Sequence, residues 1–458
     1  MQAETVALIG IGSVLGLQSL VTAIDCLRCY RATKVLQRHA WRLKSLRHIG
    51  LIDESGLPPL TLVMVLRNQA SDAVALVRQL MALKYPKIEY LVVNDGSDDR
   101  TLFKLQEELG LHPVPRFPVA ELSSRPVRGV YQSEDNPRLW VIDKEHGGLA
   151  DALNAGLNFC QTPLAAVISS RLQAVPDALI QATRPFLEQT HTWAVCGRIR
   201  PSAGGKARAL ATSRWGRLQT LLFQREDLLE SLLASQAGRF ARLAPDLSVF
   251  RRASLIEAGG FAPRSADMMA DLAQRLYQLA AVEGDQMQLV FVPDTLGWIA
   301  AVDSKPGLQA QINQEQARAR LLYQSGRKLP GHGRLLLRHR LQPMLHLLSW
   351  LCLPFLLALV LLRPSLWPNM WVWLWVWLMV AATPSTLWQL ILMLGERTDQ
   401  RFDSDALKSL QRQAWILPLT RLPALSLDQL KSWRLPQFAA PEPAKTSTIT
   451  SPLKSVAK

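Results

Sequence analysis

Between residues 61 and 168 short apolar runs alternate with segments of helical periodicity, and this alternation restricts the fold more than any bulk property. TLVMVL (61–66) is an apolar run with β-branched residues, followed by the polar RNQASD and the helical pattern AVALVRQLMAL. YPKIEYLVVNDGSDDRT supplies a second run ending in an Asp-Gly turn; LWVIDK and LAAVIS supply two more, with helices between them. Runs this short read as strands, and strands separated by helices are joined by crossovers into a mainly parallel sheet. Ligands of such sheets gather at the carboxyl ends of the strands. The expectation is a nucleotide-binding α/β domain over 55–330.

The apolar residues, 48% of 458, are concentrated toward the two ends of the chain. Val6 to Ile24, Met344 to Leu362 and Trp367 to Leu394 each reach the ~20 residues that a helix needs to cross hydrocarbon. The domains expected are an N-terminal transmembrane helix (1–27), a basic cytoplasmic linker (28–54), the globular domain, and a transmembrane hairpin (343–363 and 367–395). An interfacial amphipathic segment (404–435) and a disordered tail (436–458) follow. The net charge of +15 is placed accordingly. Residues 28–48 hold seven Lys or Arg and no acid, and residues 327–341 hold five and no acid. Basic flanks beside apolar runs follow the positive-inside bias, with membrane lipids as partner and the globular domain on the cytoplasmic side of a bacterial-type inner membrane. No nucleic-acid module is visible, so nucleic acid is not an expected partner. Trp371, Trp373, Trp375 and Trp377 suit an interfacial aromatic belt. The five cysteines form no disulfide framework, and Cys26 and Cys29 make one CxxC without a second pair, a weak zinc signal.

The order NDGSDDRT, DKEHGGLADALNAGLN, VPDAL, VFRRASLIEAGGF, DLAQRL and WIAA resembles the family 2 glycosyltransferases, in particular the membrane-integrated processive synthases of poly-N-acetylglucosamine, hyaluronan and cellulose. The resemblance covers about 55–330. It implies a GT-A fold that takes sugar from a UDP-sugar, with Mg²⁺ or Mn²⁺ bound by an Asp-x-Asp at a strand end to neutralise the leaving diphosphate. It also implies a carboxylate base for the acceptor hydroxyl.

The framework residues of the resemblance are present and its chemical residues are substituted. Asp95 matches the second acid of Asp-Asp-Gly-Ser while Asn94 replaces the first; Asn68, Asn94, Asp95, Asn154 and Arg171 are the candidate nucleotide-binding residues. Gly147, Gly148 and Asn154 are kept, but Leu149 stands in place of a lysine, and His146 replaces an asparagine. Counting back from VPDAL, the metal motif falls on Ser169, Ser170 and Arg171, two hydroxyls and a cation that do not suit a hard dication. No cofactor or metal is therefore expected. Registering the acid-base motif on DLAQRL (271–276) puts its acids on Met268 and Met269. Asp267 is the nearest substitute base, two residues and about 200° of helix away. Counting from Trp298, the acceptor-side motif falls on Gln311, Gln314 and Glu315, with Arg318 and Arg320 as displaced cations.

Besides a plain lipid-surface scaffold, two readings stay open. One is a catalytically impaired pseudo-glycosyltransferase that serves an active glycosyltransferase or polysaccharide synthase subunit in exopolysaccharide synthesis. The other is an active inverting transferase that uses UDP-sugar through Asp95, Arg171 and Asp267 without a metal.

Overall fold

The computed structural model describes residues 2–48, 56–120, 122–205, 211–238, 242–283 and 287–324. The expected hairpin, the tryptophan run, the second basic block, the interfacial segment and the tail lie outside the described residues.

The centre of the fold is a parallel block of four strands, β5 (Leu139–Lys144), β2 (Ile88–Asp95), β1 (Leu60–Leu66) and β6 (Leu164–Ile168), in that spatial order. Helices α2 (Ala73–Met81), α3 (Thr101–Glu108) and α4 (Leu149–Asn158) lie in the connections between successive strands. Alternation along β1 explains the two-sided packing. Leu60, Leu62, Met64 and Leu66 join Val77 and Leu80 of α2, Leu105 of α3, and Leu179 and Ile180 of α5 (Ala178–Glu188). Val63, pointing the other way, joins Leu153 and Leu157 of α4. Gly156 lets α4 approach closely, since a Cβ there would stand 2.7 Å from Val63 Cγ1. Leu153 is 1% exposed, and truncating such a side chain to alanine costs about 2–5 kcal/mol.

The ten-stranded sheet is mixed, which corrects the expectation of a mainly parallel one. Beyond the central block, β3 (Leu111–Pro113) and β4 (Val127–Ser133) continue antiparallel from β5. On the other side β9 (Leu247–Arg251) runs against both β6 and β8 (Thr192–Ser202). The sheet ends with β10 (Gln288–Ala300), parallel to β8, and the two-residue β7 (Gln173–Ala174), antiparallel to β10. The physical reason lies in the connection. Between β8 and β9 the chain does not make a single crossover but an excursion through α6 (Arg214–Glu226), a π-helical turn Asp227–Leu232, and α7 (Leu233–Gln236), so β9 re-enters in the opposite direction. After β9 come α8 (Arg252–Glu257) and α9 (Met268–Glu283), and α10 (Lys305–Gln324) follows β10.

The expectation of a membrane-spanning N-terminal helix, and with it of a multi-pass membrane protein, is overturned: among the described residues no helix is long and apolar enough to cross a membrane. Val6 to Ile24 is not a separate element. It belongs to α1 (Gln2–His48), which continues without a break through the basic run. Asp25 is buried within this helix, and Cys29, Ala32 and Leu36 are buried in the core beside the π-helical turn and α7. Its basic-run side chains meet protein acids: His39 Nε2 lies 2.8 Å from Asp294 on β10, and Arg42 lies 3.4 Å from Glu188 on α5. The basic run therefore has partners within the fold, a reading that charge counting alone does not supply.

Candidate functional site

The carboxyl ends of β5, β2, β1 and β6, with the start of β9, bring most of the predicted residues into one row. A strand spacing of about 4.8 Å makes this row some 20 Å long. Hydrogen bonds link it across its whole length.

Asp95, the last residue of β2, is the hub of the row. Its Oδ1 accepts from Lys144 Nζ at 3.0 Å and from Gly147 N–H at 2.9 Å. Its Oδ2 contacts His146 Nδ1 at 2.8 Å and accepts from Gly148 N–H at 2.9 Å. A carboxylate offers about four acceptor directions, so all of them are occupied from inside the protein. Burial pushes the Asp95 carboxyl up, but the hydrogen bonds from Gly147, Lys144 and His146 outweigh it and leave its pKa below the usual carboxylate value. Asp95 is thus a fixed anion that clips the turn before α4 onto β2. Gly96, at φ +60°, makes the clip feasible: a Cβ there would stand 2.5 Å from His146 N.

Lys144 escaped the sequence reading. It ends an apolar strand, is fully buried, and also lies 2.5 Å from Asp151 Oδ1 in the first turn of α4. Asp151 in turn accepts from the main-chain N–H of Arg125. The lysine lost at position 149 is not replaced here, because this ammonium faces inward. Leu149 itself is 50% exposed at the start of α4.

Asn94 donates to Asp143 Oδ1 at 2.7 Å and accepts from Ser97 Oγ at 2.5 Å. Ser97 also accepts from Asn68 N–H, and Asn68, at φ 49°, accepts from Asp98 N–H. Next to it Gln69 Nε2 donates to Ser170 Oγ at 3.3 Å. Asn94, Asp95, Asn68, Ser169, Ser170 and Arg171 are therefore brought together on the row. Asn154 is turned elsewhere: it exchanges hydrogen bonds with the main chain of Phe261 at 2.7 and 2.9 Å and also holds Ser123 O.

At the far end of the row Ser169 N–H donates to the main-chain oxygen of Asp246, and the Arg171 guanidinium lies 3.4 Å from the Asp246 carboxylate. Asp246, just before β9, is a carboxylate that the motif count missed because it comes from the neighbouring antiparallel strand. One carboxylate, two hydroxyls and a guanidinium do not make a site for Mg²⁺ or Mn²⁺, which prefer several oxygen anions. Among the described residues no group of three or more His, Cys, Asp or Glu side chains could hold a metal ion.

The remaining candidates belong to helix ends and ion pairs. Asp267 accepts from Met269 and Ala270 N–H at 3.1 and 2.9 Å, the arrangement of a helix N-cap on α9. Met269 is buried in the core and Met268 packs against it. Gln311 accepts from Gln219 at 2.8 Å, Gln314 is exposed, and Glu315 lies 3.0 Å from Arg242. The side chains of Arg318 and Arg320 lie outside the described residues. Arg242 also meets Glu226 at 2.8 Å, and Arg198 lies 3.6 Å from Asp227. In this second cluster burial pushes the Asp227 carboxyl up to about 6, although Arg198, Arg242 and Arg200 act to lower it.

No family model matches the chain, and no curated protein matches it. Among solved structures the chain is similar to the mannosyltransferase PcManGT from Pyrobaculum calidifontis in complex with GDP-Man and Mn²⁺, at 17% identity and a TM-score of 0.41, over 88% of this chain and 98% of that one. It is also similar to TarS 1-349 of S. aureus, at 13% identity and a TM-score of 0.39, over 81% of this chain and 93% of that one.

Proposed function

We propose that the chain is a GT-A glycosyltransferase-like protein that receives UDP or a UDP-sugar along the strand-end row but does not carry out metal-dependent transfer. In this reading it is a non-catalytic partner of an active glycosyltransferase or polysaccharide synthase subunit in exopolysaccharide synthesis. The observation that carries it is the end of β6. Where the resemblance requires metal-binding acids, the chain has Ser169, Ser170 and an Arg171 that pairs with Asp246. The stand-in base argues the same way, since Asp267 Oδ1 serves the first turn of α9. The ordered row of side-chain amides and hydroxyls, Asn68, Gln69, Ser97 and Ser170, supports retention of a polar ligand at the strand ends.

The test uses the purified full-length chain with a panel of UDP-sugars and Mg²⁺ or Mn²⁺, following UDP release, alongside calorimetric titration with UDP. The expected result is UDP binding with no release above buffer. Sustained release would overturn the non-catalytic reading, and absence of UDP binding would overturn the nucleotide reading.

A further inference from the structure

Resting on that nucleotide reading, we propose that His146 binds the anionic diphosphate of the ligand through Nε2. The argument begins with the Asp95 carboxylate. It is an anion without a proton to donate, so the 2.8 Å contact requires His146 Nδ1 to carry the hydrogen. The contact fixes the ring, because an imidazole held at Nδ1 directs Nε2 to the opposite side. His146 is 46% exposed in its side chain, and among the described residues its Nε2 has no partner.

Charge accounting around this turn isolates the histidine. Lys144 is fully buried between Asp95 and Asp151 and offers nothing outward. Glu145 is exposed and anionic, and Leu149 is apolar. From 144 to 149, His146 is therefore the one side chain that can present positive charge to a ligand over the row, as an imidazolium that donates from Nδ1 to Asp95 and from Nε2 to the ligand. Its backbone is pinned against Gly96 and its ring against Asp95, so little ordering remains to be done on binding.

The variant His146→Asn separates this role from mere support of Asp95. An asparagine Nδ2 can take the place of Nδ1 and keep the contact with Asp95, but it has no second nitrogen to reach a ligand. UDP affinity is measured by calorimetry for the full-length wild type, His146→Asn and His146→Ala, with melting temperatures as a check on folding. We expect His146→Asn to melt like the wild type and to bind UDP about tenfold or more weakly, the loss of one charge-assisted contact. UDP affinity within about threefold of wild type in His146→Asn, whatever His146→Ala does, overturns the proposal, because Asp95 support alone would then suffice. A wild-type chain that binds no UDP removes the proposal together with the reading on which it rests, and this outcome is visible before any variant is made.

Discussion

Asp95 and Lys144 are direct partners in the parallel register of β2 and β5, and their side chains meet at 3.0 Å with the lysine fully buried. An ion pair at this place joins two neighbouring strand ends and, through Asp151, the first turn of α4.

Replacing Lys144 by methionine keeps the volume and removes the charge, leaving Asp95 and Asp151 as buried carboxylates without their shared cation. A loss of about 3–5 kcal/mol in unfolding free energy is expected from urea denaturation. A loss below about 1 kcal/mol would mean that the main-chain N–H groups of Gly147 and Gly148 hold the clip by themselves.

Two of the perturbed carboxyls, Asp227 and Asp95, give opposite pH dependences. Asp227 titrates at about 6 in the folded chain, above the ~3.9 of an unfolded aspartate. Between roughly pH 4 and 6 the folded state thus holds a proton that the unfolded state has lost, and stability falls as pH rises through that window. Asp227→Asn should remove this slope in a series of urea titrations. Asp95 has a depressed folded value, so its contribution is present above the unfolded value and is lost as pH falls below about 4. That acid limb should persist in Asp227→Asn.

Asp267 discriminates capping from catalysis. Asp267→Ala should lower stability by about 1 kcal/mol, whereas Asp267→Asn, which retains the cap acceptor, should stay within a few tenths, as read from thermal melts. Any sugar-transfer activity abolished in Asp267→Asn despite an unchanged melt would restore the base role to this residue.

The strand-helix alternation and the row of strand ends were legible in the sequence because both follow from local periodicity. Asp95, Gly147 and Gly148 were singled out by the motif resemblance, and they do meet. Lys144 was not found, since nothing local distinguishes a lysine ending a strand in solvent from one buried between carboxylates of β2 and α4. Asp246 was missed for a related reason: its proximity to Ser169 depends on β9 running antiparallel to β6, which alternation cannot foretell. The first helix was misread because hydropathy reports which residues avoid water and not which protein surface receives them. Cys29, Ala32 and Leu36 find theirs beside the π-helical turn and α7, far from them along the chain.

That late pairing sets an order of events during synthesis. His39 and Asp294, in contact at 2.8 Å, are 255 residues apart in the chain. The buried face of α1 therefore waits for the π-helical turn and α7, and its His39 contact waits further, for β10. Contacts of such long range close slowly, so completion of β10, and not growth of the leading helix, should time the final locking of the fold.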